Sequence, residues 1–328
     1  METMRAVVCH EWCEVDLLRL EDMPPPALTP DGVRIAVHAA GVNFADTLIV
    51  KGEYQERPPF PFSPGMEAAG VVLEVGERVQ RIRPGQRVLT FLDYGGFAEE
   101  VVAREVDVTP IPDGMSFAVA AAFPVVYATS HLALRDRARL APGEVLLVHG
   151  ASGGVGLTAV EVGKAAGATV IATASTEEKL ALAREHGADY GVLSTDDVRT
   201  RVSALTGGID VAFDPVGGEM FTASLHLIRP QGRILIIGFA SGQVPQIPAN
   251  HLLVKDAGVL GFSLGQARRN RPDEVRAAMG ELVQWYAERR LRPHVSQEYP
   301  LERAVEALVA IQQRRVAGKA VIRIREGA

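Results

Sequence analysis

Residues 145–156, VLLVHGASGGVG, constrain the fold most, because an apolar run is followed there by small residues. The run of Val and Leu predicts a buried strand, and the glycines allow a tight turn close to a ligand. The pattern that follows predicts a helix from about Gly154, whose first N–H groups would face a bound pyrophosphate. Ala151, Gly153 and Gly156 occupy the glycine positions of the dinucleotide fingerprint. An ordinary strand-to-helix turn is the alternative. The predicted cofactor-binding loop is Ala151, Ser152, Gly153, Gly154, Val155 and Gly156.

Composition narrows the class of protein. A chain of 328 residues predicts two domains, and 47% hydrophobic with 23% charged residues is typical of a soluble globular protein. A net charge of −6 argues against a general nucleic-acid or membrane-surface binder. Cys9 and Cys13 suggest neither a disulfide framework nor a metal cluster, and the N-terminal stretch lacks an apolar signal core. We therefore expect a cytoplasmic protein.

The pattern of predicted secondary structure changes near residue 124. Residues 4–123 contain short β-type runs broken by Gly and Pro, which predict a mostly antiparallel barrel. From there, strands alternate with helices, which predicts a doubly wound parallel α/β sheet of six strands, the Rossmann arrangement. The tail is expected to return to the first domain. The predicted domains are therefore 1–123 with 264–328, and 124–263.

The end of the second predicted strand of this sheet bears on the choice of dinucleotide. An NAD site places a carboxylate there to bind the ribose 2′-hydroxyl, but this strand ends in Ser175, and Lys179 follows one helical turn later. A hydroxyl and an ammonium suit an additional phosphate, so NADPH is favoured over NADH. The alternative is that Ser175 caps the next helix and Lys179 is a solvated surface charge.

An ordered set of motifs resembles a known family. NFADTLIVKGEY from Asn43, GMEAAGVVLEVGERV from Gly65, PGQRV from Pro84, the glycine loop and GVLGF follow one another along the chain. The set resembles the zinc-independent NADPH:quinone oxidoreductases of the medium-chain dehydrogenase/reductase superfamily. That resemblance implies a GroES-like β-barrel domain, a Rossmann domain and a cleft between them.

The departures from zinc-dependent relatives concern the metal ligands. Those relatives have Cys where Asn43 stands and His where Met66 stands, and they carry a four-Cys lobe without a counterpart here. Zinc requires N, S or O ligands, and Glu67 could ligate only by itself. We therefore expect no metal.

The resemblance also implies which side chains act on the substrate. A quinone or enone gains negative charge on oxygen when hydride arrives, so hydrogen-bond donors near that oxygen are useful. Asn43, Asp46 and Tyr54 are the implied catalytic residues. Local backbone bonding by Asn43 and Asp46, and a half-buried loop position for Tyr54, are the alternatives.

Further cofactor contacts are implied by matching family positions. Thr129 is one of these implied contacts. The alternative is a structural Thr inside a helix, whose hydroxyl bonds back to a main-chain carbonyl. In contrast, His149 is expected to be a satisfied core residue, and Asp214 is expected to organise the turn that follows it. The remaining implied contacts are Ser194, Gly238, Phe239, Phe262, Ser263 and Lys319.

Together these features predict an NADPH-dependent, zinc-free reductase that transfers hydride to a small-molecule quinone or an activated enone. An enoyl-thioester reductase acting on acyl-coenzyme A is one alternative, which arginine clusters such as 135–139 would support. A non-catalytic NADPH-binding sensor is another. The run DAGVLGF could pair with its own copy as an edge strand, so a homodimer is expected.

Overall fold

A computed structural model describes residues 3–325 of the chain, which divide into two compact units. Among the described residues, the first unit comprises 3–125, 265–287 and 293–325. The second comprises Val126–Leu264 and Glu288–Arg292. Within residues 3–325, no helix is both long enough and apolar enough to span a bilayer.

The described residues contain strands β1 (Met4–Val8), β2 (Arg19–Met23), β3 (Gly32–Val42), β4 (Glu67–Val75), β5 (Arg87–Phe91), β6 (Glu100–Arg104), β7 (Val108–Pro110), β8 (Val145–Val148), β9 (Thr169–Ala174), β10 (Tyr190–Leu193), β11 (Ile209–Asp214), β12 (Ile228–Ile236), β13 (Gly258–Gly261), β14 (Val295–Pro300) and β15 (Lys319–Arg323). The α-helices are α1 (Phe44–Val50), α2 (Phe117–Ala121), α3 (Pro124–His131), α4 (Gly154–Ala165), α5 (Glu177–Glu185), α6 (Val198–Thr206), α7 (Glu219–Leu227), α8 (Ala249–Lys255), α9 (Leu264–Asn270), α10 (Pro272–Ala287) and α11 (Ala304–Gln312).

The first unit is built on a seven-stranded, mostly antiparallel sheet. Its strands follow the order β14-β15-β3-β4-β5-β7, and β6 pairs with β3. Strand β3 is its centre, because β4, β6 and β15 all pair with it. Apolar side chains such as Val33, Ile35 and Phe97 are fully buried and form the core. The C-terminal strand β15 therefore lies beside a strand from the start of the chain.

The second unit contains a six-stranded parallel sheet in the order β10-β9-β8-β11-β12-β13. Each predicted strand of this region is present, so the doubly wound arrangement is confirmed. The order reverses between β8 and β11, because the chain leaves β8 towards one edge and later returns on its other side. Ligands bind open parallel sheets at such a reversal, outside the carboxyl ends of the strands.

Candidate active site

A cluster of polar side chains lies where β3 ends and where its neighbours β4 and β15 begin. Ala320 of β15 is opposite Val42 of β3, so Lys319 lies beside Asn43 at the end of that strand. Ala68 of β4 is opposite Ala40, which places Glu67 beside Gly41.

The side chains of this cluster are hydrogen-bonded to one another. Asn43 Nδ2 donates to Glu67 Oε1 at 2.8 Å, and Lys319 Nζ donates to Asn43 Oδ1 at 2.8 Å. The ammonium also donates to Glu67 Oε1 at 2.6 Å and to the carbonyl of Val42 at 2.9 Å. All of these side chains are buried. The opposite charges of Lys319 and Glu67 thus compensate each other away from solvent.

Asp46 supports the main chain of this site. Asn43 stands in extended conformation before helix α1, and its backbone N–H donates to Asp46 Oδ2 at 2.7 Å. The local backbone bonding considered as the alternative for Asp46 is therefore present. Its other carboxylate oxygen, Oδ1, is buried as well. Burial raises the pKa of Asp46 to about 7, against the lowering effects of the Asn43 N–H and the Lys319 charge.

Tyr54 lies on the loop after α1 and is half-buried, packed against the apolar core. Burial raises the pKa of its phenol, and the nearby carboxylates of Asp46 and Glu56 add to the rise, while Arg269 and Arg268 oppose it. Arg269 also pairs with Glu56, two residues after Tyr54 on this loop. The phenol is therefore protonated at neutral pH and can donate a hydrogen bond.

In the second unit, the glycine loop connects β8 to the start of α4. Helix α4 begins at Gly154, as predicted, and no side chain caps its N-terminus. Its first N–H groups therefore have no partner within the helix and are available to an anion. A side chain at Gly156 would clash with the Gly150 carbonyl oxygen. Gly150 has a φ of 58°, so it makes the tight turn that the fingerprint assigns to the position of Ala151.

Ser175 and Lys179 form a pair beyond the end of β9. Ser175 is exposed, and Lys179 Nζ donates to its Oγ at 3.2 Å. The alternative in which Ser175 caps α5 is wrong, because Thr176 is the capping residue and accepts from the Lys179 N–H. Glu177 Oε2, on the first turn of α5, forms an ion pair with Arg184 Nη1 at 3.5 Å. The Ser175 hydroxyl and the Lys179 ammonium are thus hydrogen-bonded to each other just beyond the end of β9.

The other predicted cofactor residues of the second unit follow the ends of its strands, apart from one on a helix. Ser194 follows β10, Gly238 and exposed Phe239 follow β12, and Phe262 and exposed Ser263 follow β13. Because the strands are parallel, their carboxyl ends all lie on the same side of the sheet, and the glycine loop after β8 lies there too.

Thr129 is the predicted cofactor residue that lies on a helix. It is buried on α3, and its neighbour Ser130 bonds the Val155 carbonyl at 3.0 Å, so α3 is held against the start of α4.

Comparison with known proteins gives the family of the chain. Residues 29–113 match the alcohol dehydrogenase GroES-like domain, and residues 154–284 match the zinc-binding dehydrogenase domain. Quinone oxidoreductase-like protein 2 of Rattus norvegicus is 36% identical over 98% of this chain and 92% of its own length. This chain belongs to the zinc-independent quinone oxidoreductase family of the medium-chain dehydrogenases/reductases.

Solved structures of this family have the same fold as the chain. The quinone oxidoreductase of Thermus thermophilus, solved also with NADPH, is 36% identical with a TM-score of 0.86, covering 98% of this chain and 100% of that one. The Escherichia coli quinone oxidoreductase in complex with NADPH is 29% identical with a TM-score of 0.91, again over 98% and 100% of the two chains.

At the positions where zinc-dependent relatives hold their metal, the donor set of this chain does not suit zinc. Asn43 and Met66 stand there, and both carboxylate oxygens of Glu67 already accept hydrogen bonds, Oε2 from the Val125 N–H at 2.8 Å. Within residues 3–325 there is no group of three or more His, Cys, Asp or Glu side chains that could hold a metal.

One residue that was predicted to contact the cofactor, Lys319, has its polar group occupied elsewhere. Lys319 is predicted among the cofactor-binding residues, but its ammonium has three N–H donors, and all three bond to protein acceptors. It belongs instead to the Asn43 cluster of the first unit. Glu67, considered only as a lone metal ligand, is the residue that sequence reasoning undervalued. Its position next to Met66 in the family motif was the available signal.

Both residues expected to be structural are so. His149 is fully buried between the hydroxyls of Thr173 at 3.0 Å and Ser224 at 2.8 Å, and burial lowers its pKa. Asp214 Oδ1 accepts the N–H groups of Val216 and Gly217, each at 2.8 Å, and so organises the turn after β11.

Proposed function

We propose that this chain is a zinc-free, NADPH-dependent oxidoreductase that transfers hydride to a quinone or an activated enone. The observation that carries the proposal is Asn43, a buried amide held by two charged neighbours, for which residues 3–325 provide an acceptor to only one of its two N–H groups. Donors prearranged in this way stabilise negative charge as it develops on a substrate oxygen.

The second unit supplies the groups that would hold NADPH. The start of α4 suits the pyrophosphate, and exposed Ser175 with half-buried Lys179 suits the 2′-phosphate. When bound, NADPH supplies the hydride. The relatives solved with NADPH support the same choice of dinucleotide.

The first unit supplies the groups that would act on the substrate. The second N–H of the Asn43 amide donates to the carbonyl oxygen, and the protonated phenol of Tyr54 is the other donor. Asp46 holds the main chain of Asn43 in place by accepting a hydrogen bond from its backbone N–H.

The test is the NADPH-dependent reduction of para-benzoquinone, followed by the loss of NADPH absorbance, with crotonyl-coenzyme A in parallel. We expect turnover of the quinone, and we expect Asn43→Ala to lower kcat by about 100-fold, the usual effect of removing one such donor. Asn270→Ala removes an exposed amide from the same unit and is expected to leave kcat unchanged.

Three outcomes would contradict the proposal. Turnover of the coenzyme A thioester but not of any quinone or simple enone would indicate an enoyl-thioester reductase. Tight NADPH binding without turnover, unaffected by Asn43→Ala, would indicate a sensor. Equal activity of the Asn43→Ala variant and the wild type would remove Asn43 from the mechanism.

A further inference from the structure

We propose that Lys319 and Glu67 are positioning residues, which fix the side-chain amide of Asn43 in the one orientation that keeps an N–H available to the substrate. The inference rests on the proposed role of Asn43. It replaces the cofactor contact first expected of Lys319 and gives Glu67 a role.

The orientation of the amide follows from the charges on either side of it. Asn43 Oδ1 faces the Lys319 ammonium, and Asn43 Nδ2 faces the Glu67 carboxylate. Turning the amide by half a rotation would place its NH2 group against the ammonium and its oxygen against the carboxylate. Both contacts would then be repulsive, and the buried amide would lose both of its hydrogen bonds, which is costly in a low dielectric.

The same hydrogen bonds determine which group of the Asn43 amide remains available to a ligand. An Asn amide has two N–H donors, and the structure shows an acceptor within residues 3–325 for one of them, Glu67 Oε1. In the opposite orientation, the group presented to the substrate would be the carbonyl oxygen, which repels a developing oxyanion. The charged pair therefore decides whether Asn43 donates.

The sheet is built to accommodate this pair. Gly41 lies opposite Glu67, and a Cβ at Gly41 would clash with the Glu67 carboxylate and the Ala121 carbonyl. The other carboxylate oxygen, Oε2, is held by the Val125 N–H. Glu67 is thus fixed at both oxygens, so it gives Asn43 a rigid partner.

Stability alone does not explain a charged pair at this position. Lys319 is 5% exposed and Glu67 is 0% exposed. Removing two charges from water offsets much of their attraction, and apolar pairs of similar volume are often equally stable. A role in orienting Asn43 accounts for the pair in a way that packing does not.

The test is a double-mutant cycle on kcat. Lys319→Met is combined with Glu67→Met, so that no unpaired charge stays buried, and this paired change is made in the wild type and in Asn43→Ala. We expect a loss of kcat on the order of 10- to 100-fold in the wild type, because a misplaced catalytic group costs about that much. In Asn43→Ala, no further loss of kcat is expected, since the residue to be positioned is absent. Equal losses in both backgrounds, or no loss in the wild type, would overturn the proposal.

A second measurement does not require turnover. In the NMR spectrum, the side-chain amide signals of Asn43, assigned by their absence in Asn43→Ala, are expected to exchange slowly with solvent in the wild type and at least tenfold faster after the paired change. Unchanged exchange would overturn the proposal even if the wild type reduced no quinone, so this failure differs from that of the proposed function. Arg34→Met is the control, because it removes the ion pairs that half-buried Arg34 makes with Glu74 and Glu100 in the same sheet, and both readouts should stay as in the wild type.

Discussion

At the scale of single residues, the titration of Asp46 makes the stability of the chain depend on pH. Burial raises its pKa to about 7, whereas an Asp in an unfolded chain titrates near ~3.9. Between these values the folded chain binds more protons than the unfolded chain, so this contribution to stability is complete below the lower pKa and is lost as pH rises through the higher one. Asp46→Asn abolishes the titration and keeps an acceptor for the Asn43 N–H.

Urea unfolding measures this effect. Between about pH 5 and about pH 8, the free energy of unfolding of Asp46→Asn should gain about 2 kcal/mol relative to the wild type. A constant difference between the two proteins across this range would show that Asp46 does not titrate there.

Lys179 is the residue that tests the choice of dinucleotide. Its ammonium stands beside the Ser175 hydroxyl, and a charge-assisted bond to phosphate contributes about 1.5–3 kcal/mol. Lys179→Ala should therefore lower kcat/KM for NADPH by about 10- to 100-fold and leave that for NADH nearly unchanged. Steady-state kinetics with both cofactors measures this. Arg199→Ala removes an exposed positive charge from the same unit and should alter neither value; parallel losses for both cofactors in Lys179→Ala would argue against a phosphate contact.

At the scale of elements, the junction of β8 and α4 depends on the close approach of two backbone segments. A methyl group at Gly156 would clash with the Gly150 carbonyl oxygen, whereas one at Gly153 would lie 3.4 Å from that oxygen, at van der Waals distance. Gly156→Ala is therefore expected to destabilise the chain by about 1–3 kcal/mol, the usual effect of overpacking. Gly153→Ala is its matched control. Thermal unfolding compares them, and equal transition temperatures would mean that the junction adjusts freely.

At the scale of the whole molecule, we propose that β13 pairs with a second copy of the chain. It is the last strand of its sheet, and within residues 3–325 no strand pairs with its outer side. The segment between β12 and β13 carries exposed apolar side chains, Val244 at 64%, Leu253 at 82% and Val254 at 85%. An open edge strand and exposed apolar side chains both favour association.

Light scattering should give twice the 35.2 kDa mass of the chain for the wild type. Leu253→Glu combined with Val254→Glu should give the single-chain mass. Leu205→Glu, which places a charge at another exposed apolar position of the second unit, should leave the dimer intact. A wild type that stays monomeric would contradict the proposal.

Local patterns in the sequence were sufficient to predict several features. The apolar run and glycines of residues 145–156 predicted β8, the turn and the start of α4, because strand, turn and helix propensities act over a few residues. The alternation of strands and helices likewise predicted the six-stranded parallel sheet. Local capping was less certain, since Ser175 and Thr176 are both good caps and only the backbone conformation selects Thr176.

Only the tertiary structure revealed the arrangement around Asn43. Lys319 is 276 residues from Asn43 in the sequence and contacts it because β15 pairs antiparallel with β3 in one particular register. A shift of one residue would turn the Lys319 side chain to the opposite face of the sheet. Periodicity identifies the strands but carries no information about which strands pair or in which register. The sequence by itself therefore determined the cofactor-binding framework and named Asn43, whereas the buried charges that hold Asn43 were decided by strand pairing.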